Sequence, residues 1–409
     1  MTSVFDLLPQ AELPILLQRV QLLENDPLDL LITSDRQIQL APLQVPPHTQ
    51  ILPAEHLILG PGLIDLYSTC TTGFEQRETW ASLSQAAIHG GFWQVGLLPP
   101  VNNLGELELI NRQAPAQLQP WAAISQGDRL NQLAELAPQV LGFSQANPIA
   151  NLAFWRHALD YLRPLNKPVL IWAYNQDLAC QGVMREGSHA LEFGLAGVPV
   201  MAETSAIAAL VELVRHTHTP IHFMRVSSKR SLEIIGQAQA EGLPITASVV
   251  WHHLIHRSDQ LATYDSALHL APPLGDQQDQ LALIAGIKTG IISAIAIDHL
   301  PYTYEEKAVP FENSPPGAIG LEFAFPLLWQ HLVTSGKLTP LELWQALSHH
   351  PATQLGIPTP PLVTLFDPTH TWQPDSSSLH SLARNTVWLN RQITGKGICL
   401  SSFKWASDR

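Results

Sequence analysis

Cysteine is scarce and scattered: the chain has three, at Cys70, Cys180 and Cys399. With no Cys-x-x-Cys pair, neither a disulfide framework nor a thiolate metal finger is expected, and a reducing compartment follows. Positive charge is also short, 22 Lys and Arg against 35 Asp and Glu, for a formal charge of −13. That balance argues against a nucleic-acid groove or a partner surface of anionic lipid. Long hydrophobic runs are missing, since no stretch of about 18 uncharged apolar residues exists to span a bilayer. The opening residues 1–9 carry no basic lead and no long apolar segment, so no secretory signal is expected. The expectation is a cytoplasmic protein.

What is present is core-forming material. Of 409 residues, 45% are hydrophobic and 14% charged, and the 33 prolines are spread along the chain rather than clustered. The length suits one large barrel with a small appendage, or two to three ordinary domains. Eight short apolar runs recur at 62–67, 92–98, 121–125, 140–144, 168–173, 221–226, 245–250 and 292–297. Each has the length of a buried parallel strand. Amphipathic stretches lie between them: in 203–216, Ile207, Leu210, Val211 and Val214 recur at helical spacing, and 228–241 and 279–289 behave alike. Eight strand–helix repeats predict an α/β fold, a (β/α)8 TIM barrel.

The flanks alternate with period two instead. Strands are expected at 16–23, 28–32 and 37–40, and again at 363–366, 386–389 and 398–403. Two β-rich ends imply one small β-sandwich built from both termini. The expected organisation is 1–60 and 357–409 as its two parts, with the barrel at 61–356 and a proline-rich boundary at 357–361.

Residues 61–79 resemble the first-strand motif of the dihydroorotases within the amidohydrolase superfamily, written Pro-Gly-x-Ile-Asp-x-His-x-His-x-Arg. The resemblance continues in order along nearly the whole chain. It includes Gly90-Gly91-Phe92, Gly194 to Pro199 with Ala202-Glu203, His252-His253-Leu254 and Pro272-Pro273-Leu274. It closes with Asp298-His299-x-Pro301 and Gly320-Leu321-Glu322. Such enzymes hold divalent metal at the C-terminal mouth of the barrel, where it turns bound water into hydroxide near neutral pH.

At the positions where the resemblance places metal ligands, this chain has Tyr67 and Thr69 on strand one, Gln145 on strand four, Trp172 on strand five and Arg225 on strand six. At the positions of substrate contacts it has Thr71, Pro100 and Ala271, and Tyr302 replaces a histidine. Only Asp298 remains, the carboxylate that serves as general base in the family. One carboxylate without imidazole partners is a poor zinc site, so no metal and no other cofactor is expected. Tyr67, Trp172, Tyr174 and Arg225 are large enough to fill the vacated space or to build a new aromatic pocket. Arg225 is expected to neutralise Asp298.

Other histidines offer alternatives. His216, His218 and His222 lie close in sequence and admit a fortuitous metal site, whereas His349-His350 is expected to satisfy helix-terminal carbonyls. Ser68, Thr69, Cys70 or Ser227 with His299 and Asp298 admits a nucleophile-based hydrolase. Trp329, Trp344 and Trp372 are candidates for an exposed interface and equally for the core. The resemblance implies a catalytically inactive homologue with a structural or regulatory role in pyrimidine biosynthesis, partnered by aspartate transcarbamoylase or by itself. The alternatives are an active cyclic-amide hydrolase and a small-molecule sensor using the barrel mouth.

Overall fold

The computed structural model of the chain describes residues 14–35, 37–42, 44–70, 74–127, 129–149, 151–400 and 404–405. The eight predicted apolar runs become the eight strands of one parallel sheet: Leu63–Thr69, Phe92–Val101, Leu118–Ala123, Phe143–Gln145, Val169–Trp172, Ile221–Met224, Ile245–Val250 and Ala294–Ala296. Their order in the sheet is their order in the chain. Buried on both faces, they read as unbroken apolar runs rather than as alternating ones. Helices cover the outside; the longest, Met201–Thr217, buries Ile207, Leu210, Val211 and Val214 on the stripe its spacing marks.

Strand eight returns to strand one and closes the barrel. Asp298 donates its N–H to the Tyr67 carbonyl at 3.1 Å, and Thr69 donates to the His299 carbonyl at 2.8 Å. Where strand eight departs from the ladder, the Asp65 carboxylate substitutes, accepting the Ile297 N–H at 2.7 Å. Close approach elsewhere is paid for with glycine: a Cβ on Gly96 would stand 2.2 Å from the Leu66 carbonyl oxygen of the neighbouring strand.

A second sheet draws on both ends of the chain. Its order runs Ile393–Cys399, Leu362–Trp372, Ile58–Pro61, Ile15–Leu22, Leu28–Ile32, Gln37–Leu40 and Lys404–Trp405, with Gln50–Pro53 also paired to Ile15–Leu22. Its buried side chains, among them Ile15, Leu17, Val20, Leu30, Ile38 and Leu59, form a separate core. The strand expected at 386–389 is absent. Residues 387–389 form a turn instead of pairing, with Trp388 and Leu389 packed against the barrel core and Val387 against a smaller apolar cluster. The last long strand starts at Ile393, earlier than the expected 398. Among the described residues no helix is long and apolar enough to cross a membrane.

Candidate functional site

A cavity of about 310 Å³ opens at the C-terminal ends of the barrel strands, lined in part by Thr69, Asn147, Trp172, Arg225, Asp298 and Tyr302. This end of a (β/α)8 barrel is where strand termini converge and where such folds place their sites.

Tyr67 leaves strand one pointing into the barrel and is fully buried. Its hydroxyl accepts the Arg225 N–H at 3.1 Å and lies 3.3 Å from Ser248 Oγ on strand seven. The ring therefore crosses the interior from strand one to the ends of strands six and seven. Burial, with Asp298 nearby, pushes the phenol well above its usual range, so it stays neutral.

Arg225 follows strand six directly and is 8% exposed. It forks onto Asp298 with Nε to Oδ2 at 2.7 Å and Nη2 to Oδ1 at 2.7 Å. The bidentate geometry matches a planar guanidinium to a carboxylate. Burial works against the arginine's charge, but Asp298 outweighs it and holds the proton more tightly than usual. The guanidinium carbon also stands 5.0 Å from the Trp172 ring centre and 5.8 Å from that of Tyr67, within reach of cation–π attraction. Trp172 in turn stacks on Tyr174 at 4.7 Å. Both members of the pair have left-handed backbones, φ +59° at Arg225 and +51° at Asp298. Such conformations cost a non-glycine residue about 1 kcal/mol or more and persist where the surroundings hold them. The arginine–aspartate pair expected from the sequence is present.

The other positions singled out in the sequence divide. Thr69 and Ala271 line the cavity. Gln145 does not; its Oε1 accepts from Ser125 Oγ at 3.3 Å. Pro100 lies in strand two, and Thr71 falls outside the described residues. Among the described residues no group of three His, Cys, Asp or Glu is placed to hold a metal ion.

The nucleophile-based alternative finds no geometry. Burial, aided by Glu78 and Glu75, pushes the Cys70 thiol up to about 12, which suppresses its thiolate. Ser68 Oγ donates to Asp65, and Ser227 Oγ donates to Glu203. His299 accepts at Nδ1 from the Gly320 and Leu321 amides and pairs through Nε2 with Glu78 at 3.2 Å. No serine, threonine or cysteine of that set is bonded to its ring.

The remaining histidine and tryptophan candidates are placed as follows. His216 and His218 are exposed while His222 is buried, so the three do not converge. His349 and His350 begin the helix His349–Leu355 rather than end one, and His350 Nδ1 lies 3.1 Å from the Ser293 carbonyl. Trp329 and Trp344 are core rather than surface, at 8% and 1% exposed. Trp344 packs edge-on against Phe325 at 4.9 Å and donates to the Pro61 carbonyl. Trp372 is half-buried, its ring parallel to Phe323.

Two buried charge clusters were missed. Glu203 accepts the Ser227 N–H at 3.1 Å and the hydroxyls of Ser227, Ser228 and Ser231, while Arg185 donates to Ser227 Oγ at 2.6 Å and to the Pro273 carbonyl. This cluster pins the turn that presents Arg225. Glu78 accepts from Ser82 and Ser381 and from the Leu382 N–H, tying the mouth to the C-terminal segment. Burial raises the Glu78 pKa, but His299 and the hydroxyls outweigh it and hold the carboxyl below its usual range. The only sequence signal was an acidic residue at each motif edge, which spacing alone does not mark as buried.

The chain is 38% identical over 401 residues to a probable dihydroorotase-like protein of Synechocystis sp., covering 88% of this chain and 91% of that one. It is 33% identical over 366 residues to a dihydroorotase of Pelotomaculum thermopropionicum, covering 85% and 86%. This chain belongs to the dihydroorotase family. No family model matches it. Among solved structures, the L-hydantoinase (dihydropyrimidinase) of Arthrobacter aurescens superposes with a TM-score of 0.79 at 19% identity, over 93% of each chain. A dihydropyrimidinase of Brevibacillus agri gives 0.77 at 16%, over 96% and 95%. At such identities these neighbours speak for the fold alone.

Proposed function

We propose that this dihydroorotase-family protein does not hydrolyse cyclic amides by metal chemistry and instead has a structural or regulatory role in pyrimidine biosynthesis, with aspartate transcarbamoylase as its partner. The observation that carries this reading is the bidentate Arg225–Asp298 pair, which gives the remaining strand-eight carboxylate a permanent cation of its own. The donor set does not fit a divalent ion. Tyr67 keeps its proton and is already bonded, Trp172 offers no lone pair, and Arg225 brings positive charge where a cation would sit. The partner rests on the family resemblance alone. Co-purification from the native host tests it: recovery of aspartate transcarbamoylase with this chain supports the role, and recovery of the chain only with itself replaces it with self-association. Dihydroorotate hydrolysis by the purified chain with zinc supplied contradicts the non-hydrolytic reading.

A second reading, a small-molecule sensor at the mouth, is favoured by one observation. Trp172 Nε1 and the Nδ1 atoms of His252 and His253 belong to residues lining the cavity and have no hydrogen-bond partner among the described residues. A thermal-shift series with pyrimidine intermediates tests it, because a ligand of the folded state raises the melting temperature.

A further inference from the structure

A cleft of about 270 Å³ lies where the terminal sheet meets the helices that follow strand eight. The sheet contributes Leu22, Leu23 and Leu362 to its lining, the helix Pro340–Leu347 contributes Leu341, and Pro61 comes from the entry to strand one. All five are only half-buried, so the cleft leaves apolar side chains open to water. Its frame is tied down on the barrel side. Trp344 Nε1 donates to the Pro61 carbonyl at 2.8 Å, and Ser348 Oγ donates to the Gly62 carbonyl at 2.7 Å.

Charge in this lining is one-sided. Glu24 sits in the turn between Ile15–Leu22 and Leu28–Ile32 and is exposed. Its carboxylate has no ion pair and no hydrogen bond among the described residues. No Asp, Lys or Arg lines the cleft, and His349 is its only other titratable side chain. An apolar molecule would cover the leucines and leave the carboxylate to water, whereas an anion would meet a like charge. A protonated amine on an apolar body answers both features, because its ammonium group reaches Glu24 while its body covers the leucines.

We propose that this cleft is a ligand site for a small organic ammonium ion, an apolar body that carries one primary amine. The site is separate from the barrel mouth and does not rest on the function proposed above. Apolar area supplies the attraction, and Glu24 supplies the preference for a cation. Because the lining comes from both the terminal sheet and a barrel helix, a bound amine holds the two together and raises the melting temperature of the whole chain.

Titration of the full chain with 2-phenylethylamine, followed by calorimetry and by imidazole ¹⁵N spectra, tests the assignment. The analogues 2-phenylethanol and 3-phenylpropionate keep the body and change the charge. The expected result is saturable amine binding that moves the His349 ring signals, with the alcohol about fivefold weaker and the carboxylate weaker still. Glu24→Gln is expected to bring the amine and the alcohol to equal affinity, and Leu341→Trp, which fills the cleft, to abolish binding of both. Glu24 is an exposed turn residue, so its variant keeps the test available if the Leu341 variant fails to fold. No saturable amine binding, an alcohol bound equally well, a preference that survives Glu24→Gln, or signal changes confined to His252 and His253 would each overturn the proposal.

Discussion

The seam between strands eight and one, and the wall built past strands five to seven, use the same residue types to different ends. At the seam, Asp65 accepts the amides of Ile297 and Tyr67 and the hydroxyl of Ser68, which itself accepts the His299 N–H. His299 is bonded through both ring nitrogens and Glu78 through both oxygens. On the wall, Trp172 Nε1, His252 Nδ1 and His253 Nδ1 have no partner among the described residues, and Asp298 is held by the Arg225 fork. The motif residues this chain shares with its family at the seam hold the barrel shut. At the wall, Trp172 and Arg225, which differ from the resembled motif, stand around Asp298, which does not.

Cutting the seam is expected to produce the largest effect. Glu78→Ala removes the acceptor of four groups and leaves the buried His299 Nε2 without its carboxylate partner, for an expected loss of about 3 kcal/mol or more in urea unfolding. A loss within about 0.5 kcal/mol of zero would show that the seam is not what closes the barrel.

On the wall, Arg225→Ala is expected to cost about 3 kcal/mol, because it strands a buried carboxylate. Asp298→Asn is expected to cost less, since the guanidinium still faces the Trp172 and Tyr67 rings. The double variant is expected to recover part of the Arg225 loss, and additive losses would mean the two residues do not act as a pair.

Acid sharpens the comparison further. Burial pushes His222 and His253 down to about 3, His256 down to about 4 and His252 well below the usual 6.5. The unfolded chain takes up these protons and the folded chain refuses them, so stability is full above about pH 6.5 and falls as the pH drops. Asp65 opposes this: burial raises it to about 7, so its contribution is full below about pH 4 and lost as pH rises through 7. His89, His269, His331, His350 and His380 are also lowered by burial, and Asp279 and Glu322 are raised with Asp65, so nine histidines against three carboxyls leave a net loss on acidification, at up to about 1.4 kcal/mol per pH unit for each of the first four. Urea midpoints between about pH 7.5 and about pH 5 measure it, and a midpoint that rises toward acid would contradict it.

The smallest expected effect is none. Restoring histidine at 67, 69, 172 and 225 together is expected to give no dihydroorotase turnover, because Gln145 and Ala271 remain and catalytic parts act as a unit. Measurable hydrolysis by that variant would show that the rest of the machinery is intact.

The barrel was legible because its signal is carried by many residues: eight buried runs and the helical stripes between them leave little freedom in the order of elements. The Arg225–Asp298 pair was legible because a lone buried carboxylate demands a cation. The two missed charge clusters were not, since Glu78 and Glu203 look like any surface acid until the fold brings serines around them. Trp329 and Trp344 stayed open between surface and core for a related reason: composition does not say which face of a helix is covered. The strand expected at 386–389 failed because β-branched content marks a segment fit for a sheet without providing a neighbour to pair with.

The central claim is that Arg225 now holds Asp298 in place of a metal. Elemental analysis of the chain, purified without chelator, loaded with zinc and desalted, tests it most directly, with Asp298→Asn as control. The expected result is zinc well below one per chain and the same in both proteins. About one zinc per chain, lost on Asp298→Asn, would contradict the account.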